Sequence, residues 1–168
     1  AVLMAQHGLK RLPVTDAEGN LVGIVTSTDL FRMLIEESET LSKPVEVADY
    51  MSRELTTVAP MTVLLDAQRL MAVNNIRALP VVQNGLLVGI VTRTDLMSAA
   101  PGAATDAEYE VTKQILSTPM RFMMTSSPIT VDENASITKA AQLMSENKIH
   151  SLPVMDVKGN LAGMITET

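Results

Sequence analysis

Cysteine and tryptophan are absent from the 168 residues, and histidine, tyrosine and phenylalanine occur only twice each. Without cysteine there is no disulfide frame and no thiolate metal centre, which agrees with a reducing, cytoplasmic compartment. So few aromatic rings leave few platforms for stacking bases. The net charge of −6 opposes general attraction to phosphate backbones, so no nucleic-acid partner is expected. Aliphatic runs are short and broken by glycine, so no stretch is long enough to span a bilayer and no membrane contact is expected. Catalytic patterns are missing too: no glycine-rich loop ending in Lys-Ser/Thr, no nucleophile elbow, no His-Glu-x-x-His. The chain is therefore read as a non-enzyme with no catalytic residues, no metal site and no required cofactor.

What is present is repetition. The stretch Leu79 to Asp95, LPVVQNGLLVGIVTRTD, has an earlier copy from Leu12 to Asp29 and a later one from Leu152 to Thr168. The middle copy is one residue shorter, and the difference falls in the polar turn between two apolar runs. Leu3-Met4, Leu70-Met71 and Leu143-Met144 each stand nine residues before the Leu of a Leu-Pro pair. Met51 and Met124 each precede a Thr-Val pair, Thr57-Val58 and Thr130-Val131, by six residues. The period is about 70 residues. The expected divisions are 1–37 (repeat one, front missing), 47–100 (repeat two, complete), 101–119 (linker) and 120–168 (repeat three, end missing). Ragged ends of this kind suggest a piece of a longer chain.

Each repeat predicts strand, helix, strand, strand, helix, a mixed α+β unit. Val63, Leu64, Ala67, Leu70 and Met71 follow helical spacing over roughly 62–74, with Thr62 as a candidate N-cap. Ile137, Ala140, Ala141, Leu143 and Met144 repeat the pattern over about 135–146, capped by Asn134 or Ser136. Residues 1–9 close an equivalent helix, with Leu3, Met4 and Ala5 facing inward. Asn84-Gly85 signals a tight hairpin turn, because both central residues of a type I′ turn need positive φ. Longer turns run from Asp16 to Asn20 and from Asp156 to Asn160. The second strand of each hairpin is apolar on both sides, as for a strand buried on two faces. A second helix follows from Thr28 to about Glu37, with Leu30, Phe31, Leu34 and Ile35 as its stripe. Its counterpart runs from Thr94 to about Ala99, and the linker holds an extra helix from Asp106 to Leu116. The methionines, Met51, Met123 and Met124 near the fronts of the repeats among them, read as core filling.

Thr26-Ser27-Thr28-Asp29 and Thr92-Arg93-Thr94-Asp95 fall where a strand ends and a helix begins. One reading is a capping box, Thr as N-cap and Asp three residues on. The other is a small anion site, with hydroxyls and free N–H groups for phosphate and a carboxylate for a ribose diol. Capping alone does not call for Gly23 and Gly89, three residues before each Thr. Nor does it call for Lys10, Arg77 and His150, each standing three residues before its Pro. Three cationic or cationisable residues at one repeat position could neutralise phosphates in a shared cleft.

These residues resemble CBS domains, the cystathionine-β-synthase-type repeats that pair into Bateman modules. Leu-Pro-Val, the Gly-Asn or Asn-Gly turn and Val-Gly-Ile-Val-Thr-x-Thr-Asp carry the likeness. The resemblance implies tandem repeats with an adenosine compound, AMP, ADP or ATP, in the cleft of a pair, and S-adenosylmethionine as an alternative ligand. It implies Asp29 and Asp95 on the ribose, and Thr26, Thr28, Thr92 and Thr94 as hydroxyl contacts. It places Lys10, Arg77 and His150 on phosphate, and the base near Thr57, Val58, Ala78 and Val81. Repeat three offers Thr130, Thr166 and Thr168. The implied function is a regulatory module, a homodimer, that reports its ligand to a partner domain or protein. A ligand-free dimerisation module is the alternative. A third reading is the regulatory part of an enzyme or transporter whose working domain lies elsewhere. Repeats one and two are the expected pair, because their linker is the shorter; two with three, or three with a fourth, are the other arrangements.

Overall fold

A computed structural model describes residues 2–30, 33, 45–99 and 106–167. The first unit holds α1 (Val2–His7), β1 (Arg11–Thr15) and β2 (Leu21–Thr26), then α2, helical at residues 27–30 and 33. The second holds α3 (Leu64–Val73), β3 (Ala78–Gln83), β4 (Leu86–Thr92) and α4 (Arg93–Ala99). The linker carries α5 (Asp106–Leu116), over the span expected. The third unit holds β5 (Thr125–Ser126), β6 (Val131–Asp132), α6 (Ile137–Asn147), β7 (Ser151–Met155) and β8 (Leu161–Thr166). The second-helix stripe residues Phe31, Leu34 and Ile35 lie outside the described residues, as does Thr168.

All three hairpins are antiparallel and share one register: Leu12 faces Val25, Leu79 faces Val91, and Leu152 faces Ile165. Asn84 and Gly85 take φ of 52° and 80°, as a type I′ turn demands. The longer turns close differently. Asp16 Oδ1 accepts the N–H groups of Glu18 and Asn20 while its Oδ2 accepts from Asn20 Nδ2. Asp156 does the same with Lys158 and Asn160. These bonds, that of the Asn side chain foremost, hold both carboxyls below their usual range.

Three local expectations are corrected. Thr62 does not cap α3. Its Oγ1 accepts from Ala59 N–H, the N-cap position is Val63, and the N–H of Leu64 is taken by Thr118 O at 2.9 Å. A partner from elsewhere in the chain thus replaces the side-chain cap. Ser136 does cap α6, accepting from Lys139 N–H at 3.1 Å. Leu3 is 59% exposed whereas Met4 is buried, and the side chain of Ala5 lies outside the described residues. The second hairpin strand is covered in β4 and β8, but β2 is exposed from Leu21 to Ile24.

The arrangement of the repeats departs from the expected pairing of one with two. Repeats two and three exchange their front segments. Val47, in the 3-10 turn Val47–Asp49, and Met51 precede α3 in sequence but pack in the core of repeat three, with Val131, Met144, Leu152 and Val154, and Ala48 lies against it. Met120 precedes α6 but packs in the core of repeat two, with Leu64, Met71, Leu79 and Val91, and Met123 and Met124 lie against it. The backbone bonds are reciprocal. Val47 N–H donates to Ala135 O and Ala48 N–H to Glu133 O; Met120 N–H donates to Thr62 O and Arg121 N–H to Pro60 O. Ser52 bridges Met164 of β8, while β5 pairs with β4 at Gly89 and Ile90. The length of the linker does not set the partner, because the segment before each repeat completes the other repeat's sheet.

Exchange also explains Gly89, which capping did not require, and its equivalent Gly163, but not Gly23. A methyl built on Gly89 would come within 2.5 Å of Met124 Sδ, and one on Gly163 within 2.6 Å of Met51 Sδ. These glycines make room for a methionine laid across the strand. Met51, Met71, Met120 and Met144 are buried as core filling, whereas Met61 and Met97 are exposed.

Candidate functional site

In repeat two the predicted residues gather at one end of the sheet. Ala78 opens β3 and faces Thr92, the last residue of β4. Arg77 O accepts Arg93 N–H at 2.8 Å, tying the start of one strand to the start of α4. Val58 bridges Val81 in parallel, which sets the exposed Thr57 beside the same end. Val81 itself is wholly buried in the core, so it offers no side-chain surface to a ligand, and Val58 is 5% exposed.

The Thr-x-x-Asp motif forms a capping box. Asp95 Oδ2 accepts from Thr92 N–H at 2.8 Å and from Thr92 Oγ1 at 2.7 Å, and Asp95 N–H returns a bond to Thr92 Oγ1. Thr26 and Asp29 repeat it at 2.9, 2.7 and 3.2 Å. One carboxylate oxygen and the first hydroxyl are thereby committed to structure. The bonds of the box to the Asp95 carboxylate all use Oδ2, and Thr94 is exposed. Thr28 in repeat one is half-buried. In repeat three Thr166 pairs with Ser151 and Thr130 directly precedes β6, so each holds the place its counterpart holds in repeat two.

The three equivalent basic residues come from three repeats, and two of them, Lys10 and Arg77, lie within electrostatic reach of each other. Lys10 is pushed below the usual lysine range by burial first and by the Arg77 charge second, with Glu167 acting in the opposite sense. Glu167 in turn lies 2.8 Å from His150 Nδ1 and donates its N–H to His150 O. Lys10, Arg77, Glu167 and His150 are thus linked across the three repeats, the first three through charge and His150 through its contact with Glu167. Glu167 escaped sequence reasoning. It fills the position taken by Ser27 and Arg93 in the other copies, and an acid there, opposite a histidine, was the available signal.

A depression of about 370 Å³ lies elsewhere, lined by Gln68, Met71, Asn75, Arg93, Leu96 and Met97 between α3 and α4. Residues 93, 96 and 97 share a face of α4 that Thr94 and Asp95 do not, so it is separate from the Thr-x-x-Asp end. Among the described residues there is no cluster of histidine and carboxylate side chains fit to hold a metal ion. No helix among them is long and apolar enough to cross a membrane.

Comparison with known proteins agrees with this architecture. The sequence profile of the CBS domain matches residues 1–36, 47–102 and 120–168. The uncharacterized protein MJ1225 of Methanocaldococcus jannaschii is 31% identical over 157 residues, which is 92% of this chain and 55% of that protein. The crystal structure of MJ1225 superposes with a TM-score of 0.76 at 30% identity, covering 96% of this chain and 58% of that one. This chain therefore spans about half the length of that relative. The crystal structure of CBSX2 in complex with AMP matches with a TM-score of 0.60 at 30% identity, covering 73% of this chain and 90% of that one; CBSX2 is a CBS-pair protein of Arabidopsis thaliana. The CBS domain pair of protein MJ0100, crystallised with 5-methylthioadenosine and S-adenosyl-L-methionine, matches with a TM-score of 0.60 at 25% identity, covering 74% and 91%.

Proposed function

The chain belongs to the CBS-domain family, and from that premise we propose that it is a regulatory module that binds an adenosine nucleotide, AMP, ADP or ATP. The observation that carries this reading is the gathering of Arg77, Ala78, Thr92 and Asp95, with Thr57 beside them, at one end of the second repeat's sheet. Asp95 Oδ1 takes the ribose diol while Oδ2 stays with the cap. Thr94 supplies the hydroxyl contact, because Thr92 Oγ1 is already engaged at both its donor and its acceptor. Asp29 and Thr28 are the equivalent ribose and hydroxyl contacts in repeat one. Arg77 and Lys10 receive phosphate, and an anion there offsets the repulsion that Lys10 feels from Arg77. His150 joins them by exchanging Glu167 for phosphate, and Thr130, Thr166 and Thr168 complete the third repeat's share.

Phosphate contacts drawn from more than one repeat would tie ligand binding to the way the repeats sit together. The ligand can shift that packing only by its difference in affinity for the two arrangements. A partner domain or protein in the cytoplasm reads the shift. S-adenosylmethionine is the neighbouring ligand class, given what the MJ0100 pair holds. A ligand-free dimerisation module is the second reading, favoured by the exposed apolar side chains of Val73 on α3 and Met97 on α4.

Isothermal titration with AMP, ADP, ATP and S-adenosylmethionine, with and without magnesium, tests the proposal. Micromolar binding that weakens about tenfold or more in Asp95→Asn or Asp29→Asn is expected, as for loss of a charge-assisted hydrogen bond. No heat from any of the four with a folded sample would sink the nucleotide reading and leave the dimerisation module.

A further inference from the structure

Thr26, Thr92 and Thr166 are followed by Ser27, Arg93 and Glu167. In every repeat the N–H of that next residue donates to the carbonyl of the basic residue just before the first hairpin strand. Ser27 donates to Lys10 O at 3.0 Å, Arg93 to Arg77 O at 2.8 Å and Glu167 to His150 O at 3.2 Å. The backbone thus sets three unlike side chains at one equivalent place, each beside a candidate phosphate contact. Ser27 is neutral. Arg93 turns its guanidinium to Ile76 O at 2.9 Å and adds a positive charge to the second repeat. Glu167 brings a carboxylate, with Oε2 2.8 Å from His150 Nδ1, and Lys10 feels its charge as well. Among the described residues neither Lys10 nor Arg77 is in an ion pair, whereas His150 is. The Glu167 side chain is 8% exposed and that of His150 is 71% exposed. The acid is therefore poorly screened by solvent, while the imidazole it contacts stands open.

We propose that Glu167 selects ligands by charge: it engages His150 with an internal carboxylate, and so turns the third repeat away from polyphosphates and toward ligands of little or no negative charge. A phosphate that reaches His150 must displace Glu167 or sit beside it. Displacement leaves a nearly buried carboxylate without its partner. Sitting beside it sets two anions close together where water screens them little. Each further phosphate group adds to that repulsion, so a triphosphate suffers more than a monophosphate and a neutral nucleoside does not suffer at all. Repeat two has the opposite bias, because Arg77 is joined there by Arg93 and no acid takes this position. One residue at one repeat position thereby gives three similar sites three different charges. For nucleotides this inference rests on the function proposed above. For bare anions at His150 it stands independently of that function.

The test compares the 168-residue chain with Glu167→Gln, which keeps the shape of the side chain and removes its charge. Titration calorimetry with adenosine, AMP and ATP reads the nucleotide arm. ATP affinity is expected to rise about tenfold in Glu167→Gln, AMP affinity less, and adenosine affinity not at all. Glu167→Ser, which gives repeat three the residue of repeat one, should behave alike. The second arm needs no adenosine site: inorganic pyrophosphate is titrated while NMR follows the His150 ring, assigned by its loss in His150→Gln. Pyrophosphate should move the ring signals of Glu167→Gln at concentrations about tenfold below those the parent requires. An equal response of parent and variant, no response from either included, would overturn the proposal. Equal gains for AMP and ATP would overturn it too, as would a gain that persists when His150→Gln is added, since net charge alone would then account for it. Pyrophosphate discrimination without heat from adenosine, AMP or ATP would instead sink the nucleotide reading and leave the role of Glu167 standing.

Discussion

Val14, Val81 and Val154 occupy the same position in three copies of one hairpin. The first is 43% exposed and the other two are wholly buried. The backbone around them is the same: the Leu-Pro-Val strands share a register, and each has a bulge after the valine. Local sequence therefore builds the hairpin without help, and burial is a separate event that needs neighbours. In repeats two and three the neighbours are the exchanged fronts, α3 and α6. Secondary structure and core are thus set at two different ranges along this chain.

Truncating the equivalent leucines is the strongest way to break the comparison. Leu79→Ala removes a fully buried side chain from the core of repeat two, and a loss of about 2–5 kcal/mol is expected. Leu12→Ala, at a half-buried position, should lose clearly less. Urea unfolding of both variants measures the gap, and equal losses would mean that repeat one is as well packed as repeat two. Glycine replacement comes next. Gly89→Val drives a side chain into Met124 and the backbone of Thr125 and should destabilise by about 1–3 kcal/mol. Gly23→Val, with nothing nearby, should fall within about 0.5 kcal/mol of the parent. Thermal melts of the two side by side decide whether the glycine serves the exchanged methionine or the hairpin itself.

The smallest effect separates the turns. Asp16 and Asp156 have folded pKa values below their unfolded ones. Such a carboxylate contributes stability that is present above the unfolded value and lost as pH falls through the folded one. Melting temperature should therefore decline on acidification into the range below about pH 4, and Asp16→Asn with Asp156→Asn should flatten part of that decline. The Asn84-Gly85 turn has no titrating group, so hydrogen exchange in the hairpin of repeat two should show no matching loss. A fall of equal size in all three hairpins would place the acid sensitivity elsewhere.

Much of this was legible in the residues. The Asn84-Gly85 turn, the extra helix in the linker, the cap at Ser136 and the Thr-x-x-Asp boxes all follow from interactions spanning four residues or fewer, or from helical spacing. The same locality misled at Thr62, where the helix N-terminus is satisfied by Thr118, more than fifty residues away in sequence. At Gly23 and Gly89 the unexplained glycines pointed to a ligand, whereas Gly89 accommodates Met124. For the candidate site, pattern pointed to Arg77, Thr92 and Asp95 and the family resemblance added Ala78, and these four lie together at one end of the sheet. Pattern missed Glu167, whose relation to His150 arises from the closure of one hairpin.

By itself the sequence determined three copies of one unit, their hairpins and their helix starts, because periodicity and turn chemistry act over a few residues. Only the tertiary structure decided which repeats join. The segments around Met51 and Met124 carry the same chemistry, and Gly23, Gly89 and Gly163 lie in strands of the same pattern. No local signal distinguishes one receiving strand from another. The choice is made when apolar faces close over one another, and that closure seats Met51 on Gly163 and Met124 on Gly89.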